Sequence, residues 1–88
     1  MINIVEILQK EKAYVETDGD VKFCGISKKQ FPEIFLTLEM LAKDCGKKLD
    51  DFAVDIYYSI IGNKVYDVCQ DKLEEAKEIV IGFLEYRG

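Results

Sequence analysis

Apolar positions recur along the chain with two different periods. Phe31, Ile34, Phe35, Leu38, Leu41, Ala42 and Cys45 follow one another at spacings of three and four, the stripe of an amphipathic helix. Ser27 with Gln30 forms a capping-box pattern ahead of it, but Pro32 would cost a hydrogen bond in a helix already running from Ser27. The helix is therefore expected to begin near Gln30 or Phe31, and Gly46 is its stop. Leu73, Ala76, Val80, Phe83 and Leu84 mark a second helix over about 71–86, with Asp71 and Glu74 as its capping pair. Ile4, Val5 and Leu8 give a short N-terminal helix one apolar edge, with Asn3 as its cap.

Between Ala13 and Phe23 the period shortens to two, which predicts a β-hairpin over about 12–26. A loop of Thr17, Asp18 and Gly19, with glycine last in the left-handed region, sets Val15 opposite Val21 and Ala13 opposite Phe23. Tyr14, Glu16, Asp20 and Lys22 then share the other side. A shorter Asp18-Gly19 loop would set Val15 opposite Lys22 and mix the faces. The longer loop is the expected one.

The stretch from Leu49 to Asn63 satisfies both periods. As a helix it places Leu49, Phe52, Ala53, Ile56, Tyr57, Ile60 and Ile61 on one face, with Asp50 capping the start and Gly62-Asn63 ending it. As a strand it alternates Phe52, Val54, Ile56, Tyr58 and Ile60, and Gly62-Asn63 turns into "KVYDV". Composition favours the strand, whereas periodicity, length and caps favour the helix. The helix is preferred. The expected fold is a single α+β domain over 1–88, with the short N-terminal helix, the hairpin and two or three amphipathic helices packed on it. The alternative is a pair of duplicated ββα units with a four-stranded sheet, suggested by the echo of "VKFC" in "YDVC", each followed by a helix.

Composition narrows the function more than it names it. With 49% apolar and 33% charged residues, the 88-residue chain has the balance of a folded domain. The formal charge of −5, with lysines no more clustered than Lys28-Lys29 and Lys47-Lys48, argues against direct binding to nucleic acid or to an anionic membrane. Neither a secretion signal nor a membrane-length apolar run is visible, so a cytoplasmic location is expected. Cys24, Cys45 and Cys69 are too widely spaced for a zinc site or a CxxC redox motif, and each lies beside apolar residues as a small hydrophobe would.

Candidate chemistry is sparse. The sequence has no histidine, no GxxxxGK and no GxGxxG. An enzyme is therefore not expected, and neither is a cofactor. Asp55, beside Tyr57 and Tyr58, and Asp67 are the carboxylates a catalytic alternative would use. Glu16, Asp18 and Asp20 alternate like calcium ligands, yet counting from Glu16 or from Asp18 leaves the sixth and twelfth positions of a calcium loop wrongly filled, so no metal is expected. Surface remains: Tyr14, Tyr57, Tyr58, Tyr66 and Tyr86, with Leu36, Met40, Val54, Ile79 and Ile81 lying off the main stripes. Wide stripes on a small domain favour completion of the core by self-association, hence a homodimer.

The expected function is a small acidic, non-enzymatic protein-interaction module acting as inhibitor, adaptor or regulator. A sharper form is a phage-like inhibitor, encoded by a mobile element against a basic nucleic-acid-binding host protein. Glu16, Asp18 and Asp20 at the hairpin tip, with Asp50, Asp51, Asp55, Tyr57 and Tyr58, would form its partner-binding surface. A structural subunit of a larger assembly and a small carboxylate/tyrosine-based enzyme are the alternatives.

Overall fold

A computed structural model describes residues 13–87; the expected N-terminal helix lies outside the described residues. The chain forms a three-stranded antiparallel sheet, β1 (Tyr14–Thr17), β2 (Asp20–Phe23) and β3 (Ile26–Ser27), in the order β1-β2-β3. Three helices follow: α1 (Pro32–Asp44), α2 (Leu49–Ile60) and α3 (Gln70–Arg87). This is the expected α+β class. The duplicated alternative does not form, because Leu49–Ile60 is helical and the sheet among the described residues stops at three strands.

Helix periodicity wins in α2 because it buries Phe52, Ala53 and Ile56 together, which alternation along a strand would divide between two faces. Its end follows the chain chemistry: Gly62 takes φ +94°, and the N–H groups of Gly62 and Asn63 return to the carbonyls of Ser59 and Tyr58. Its start differs from expectation. The cap is Lys48, with no side-chain hydrogen bond, and Asp50 instead accepts the Asp51 N–H inside the first turn. Pro32 sits in the first turn of α1, where its missing N–H costs nothing. Ser27 organises the preceding turn, its Oγ accepting from the Gln30 N–H and its carbonyl from the Phe31 N–H.

The hairpin register corrects the sequence reading. Tyr14 pairs with Phe23, Val15 with Lys22, Glu16 with Val21 and Thr17 with Asp20, so the loop is Asp18-Gly19 alone, with Gly19 at φ +83°. Tyr14, not Val15, joins Val21 against the core. Two constraints distant from the loop fix this register. At the far end of β2, Phe23 pairs with Ile26 across Cys24-Gly25, both in the left-handed region at φ +51° and +83°, and the Cys24 N–H donates to the Ala13 carbonyl. Nearer the loop, Asp20 is tied to Ser27 and to the backbone of Lys29. The amphipathic Tyr14 completes the balance by laying its ring against the core while its hydroxyl donates to Glu16 Oε1 at 2.9 Å.

The core is centred on Phe23, whose ring lies 6.3 Å from both Phe35 of α1 and Phe52 of α2. Each fully buried phenylalanine contributes about 1.5–3 kcal/mol of hydrophobic stabilisation. Helices α1 and α3 pack antiparallel. Phe31, just before α1, meets Phe83 near the end of α3 edge-on at 4.9 Å, while Cys45, just after α1, meets Cys69, just before α3.

Candidate functional site: an apolar groove between two helices

The antiparallel pairing of α1 and α3 leaves a groove of about 380 Å³ at the Phe31–Phe83 end. Phe31, Ile34, Ile79, Gly82, Phe83 and Tyr86 line it, and Glu78 is its one charged wall. Phe83 belongs to the buried core, whereas Phe31, Ile34 and Ile79 are half-buried and form the sides. Tyr86 stands at the mouth, 91% exposed. Gly82 opens the wall, since a Cβ built there would meet nothing within 4 Å. A glycine inside a helix costs about 0.8–1.0 kcal/mol relative to alanine, and here it widens a hollow that nothing in the described chain fills. Chemically the groove offers carbon surface, three aromatic rings and one carboxylate. That lining suits a row of apolar side chains.

The acids singled out from the sequence do not all share one face. Glu16 and Asp20 fall on opposite faces of the hairpin, because Glu16 pairs with Val21 and Asp20 with Thr17. Asp20 is engaged inside the fold: its carboxylate accepts from the Ser27 hydroxyl at 2.5 Å, the Val21 N–H at 2.8 Å and the Lys29 N–H at 3.0 Å. The Ser27 bond, followed by the backbone donors, lowers its pKa from the ordinary aspartate value. Glu16 and Asp18 are exposed, with Glu16 receiving the Tyr14 hydroxyl. Burial, then Glu16, pushes the Tyr14 phenol up to about 12.

On α2, Asp50 and Asp51 are exposed in the first turn, where the helix dipole favours them. Asp55 is different. Its Oδ2 is buried and sits 3.3 Å from the Lys47 ammonium, close enough to pair but out of line for a hydrogen bond. Tyr57 and Tyr58 are half-buried with rings 5.6 Å apart, and Tyr57 packs on the core. Asp67 is exposed in the segment between α2 and α3. Neither Asp55 nor Asp67 lines the apolar groove or the more polar hollow of about 570 Å³ around Ser59, Asn63, Tyr66 and Lys77. Among the described residues no group of three metal-ligating side chains comes together, and no helix is long and apolar enough to cross a membrane.

Comparison with protein families, curated proteins and solved structures finds no match. Function must therefore be read from the surface itself. Of the positions flagged as lying off the stripes, Leu36 and Met40 are exposed, and Ile79 becomes a groove wall. Gly82 went unflagged, although a lone glycine within a helical pattern is the sequence signal for such an opening.

Proposed function

We propose that the chain is a non-enzymatic protein-interaction module that receives an apolar helical segment of a partner protein in the α1–α3 groove. The observation that carries this is the groove's lining: aromatic and aliphatic side chains, an unfilled glycine and a nearly fully exposed tyrosine at the mouth. Amphipathic helices bind such grooves through anchors spaced three and four residues apart. Glu78 at the wall and the formal charge of −5 favour a partner whose anchors are flanked by basic residues. An inhibitor or adaptor acts through a surface of this kind. The narrower phosphate-imitating version would rest on Glu16, Asp18, Asp50 and Asp51, since Asp20 and Asp55 are engaged within the chain.

The test is capture of a partner by the native chain and by Gly82→Leu, which fills the groove, at low and high salt. The captured protein's binding segment is then synthesised and titrated against both chains. Binding of that peptide to the native chain and its loss with Gly82→Leu is the expected result. Equal binding by both chains removes the groove from the function. Affinity that collapses in salt and ignores Gly82→Leu transfers the function to the acidic surface.

A second reading is favoured by Leu36 and Met40, four residues apart on α1 and 56% and 58% exposed. A second copy of the chain covering that stripe would make the protein a homodimer. Sedimentation of the native chain and of Leu36→Lys/Met40→Lys decides it: a native monomer ends the homodimer reading.

A further inference from the structure

The opposite end of the α1–α3 pair carries two thiols. Cys45 closes α1 and Cys69 immediately precedes α3, 24 positions apart in the chain. The Cys45 thiol donates to the Cys69 carbonyl oxygen, with Sγ 3.9 Å away. Both backbones are held. The Cys45 N–H bonds the Leu41 and Ala42 carbonyls, and the Cys69 carbonyl receives the Leu73 N–H. The thiol-to-main-chain contact sets the two cysteines beside each other across the facing helix ends. Cys69 is exposed, Cys45 is half-buried, and Cys24 is buried with its thiol turned to the Ala53 carbonyl. Lys72 and Asp44, 4.0 Å apart, bridge the same two helix ends.

We propose that Cys45 and Cys69 form a reversible oxidation site that closes an intramolecular disulfide when a peroxide reaches Cys69. The exposed Cys69 thiolate attacks one peroxide oxygen, the O–O bond breaks, and the departing oxygen leaves as an alcohol or water after taking a proton. Cys69 is then a sulfenic acid. The Cys45 sulfur, having given up its proton, attacks the sulfenyl sulfur, forming the S–S bond and expelling hydroxide, which takes up that proton to leave as water. Two thiols lose two electrons to one peroxide, so the exchange balances without a further reactant. Burial raises the Cys45 pKa above the usual thiol value, which suits the second role and not the first. The product staples α1 to α3 at the end remote from the groove, and the proposal does not depend on what the groove binds.

The experiment treats the native chain with hydrogen peroxide and follows intact mass, peptide mapping without reductant, and thermal melting. The expected result is a loss of about 2 Da, a Cys45–Cys69 linked peptide, and a melting temperature raised on the order of 10 °C that falls back with dithiothreitol. Cys45→Ser and Cys69→Ser should both lack the linked peptide; Cys45→Ser should accumulate oxygen adducts on Cys69. Oxygen adducts or intermolecular dimers in the native chain without the internal link would overturn the proposal. So would a linked peptide that contains Cys24.

Discussion

Gly82 is the position at which stability and binding are expected to part. It lies inside α3, is exposed, and a Cβ added there meets no atom within 4 Å. Gly82→Ala therefore introduces no clash and removes backbone freedom from the unfolded chain. The expected gain is about 0.8–1.0 kcal/mol, the helix-propensity difference between the two residues. For a domain of this size that corresponds to a melting temperature raised by roughly 4–8 °C. Thermal and urea unfolding followed by circular dichroism measure it, with an unchanged urea slope as the check that only stability has moved. Gly82→Leu should keep most of the gain, because leucine is nearly as good a helix former as alanine. It should nevertheless abolish peptide binding by occupying the groove. A melting temperature that falls for Gly82→Ala would refute the reasoning, since it would show that the wall at Gly82 is already filled or that its backbone needs glycine. Stabilisation by Gly82→Leu with undiminished peptide binding would refute the functional half alone.

Three further outcomes follow from the charged and phenolic groups. At 3.3 Å the Lys47–Asp55 attraction is about 5 kcal/mol at an effective dielectric of 20, before desolvation offsets most of it. Lys47→Met should cost about 2 kcal/mol, between the exposed and buried limits, and the Lys47→Met/Asp55→Leu double variant should recover much of it in a double-mutant cycle; additive losses would mean that the pair does not interact. The pKa of Asp20 is lowered in the fold, so its contribution is present above the unfolded aspartate value near ~3.9 and is lost as pH falls through the folded value. Asp20→Asn should accordingly melt below the native chain at pH 7, with the gap closing under acid; a gap that is constant with pH would contradict the assignment. Tyr14, raised to about 12, stabilises the fold below its unfolded pKa near ~10, and that contribution disappears as pH climbs through the folded value. Absorbance titration should show one late-ionising tyrosine that is missing in Tyr14→Phe, and its persistence in that variant would assign the shift to another ring.

The helices were legible because their stripes need only local information. All of Leu73, Ala76, Val80, Phe83 and Leu84 are buried as the spacing predicted, and α2 was decided correctly by periodicity against a β-rich composition. The hairpin register was not legible, because alternation along β1 and β2 admits two solutions one residue apart. What chooses between them lies elsewhere, in the Cys24-Gly25 turn and in the bonds from Ser27 and Lys29 to Asp20. The same distance effect removed two acids from the expected interaction surface. Asp55 looked like a free carboxylate until α2 packed beside Lys47, a residue that is its neighbour only through the turn after α1. The groove was half legible: Phe31, Ile34 and Phe83 were read as stripe residues, but their shared opening exists only once α1 and α3 run antiparallel.

The two tight turns around β2 also bear on the order in which the chain folds. Each joins paired residues across only two loop positions, so the whole sheet assembles from near neighbours, and hairpins of this kind close in about 1–10 µs. The α1–α3 contact instead closes over the entire length of α2, so it is expected to form later on the folding route. Interactions formed late act mainly on the rate of unfolding. A cross-link between the facing ends of those helices would therefore leave the speed of folding almost unchanged and lengthen the lifetime of the folded chain.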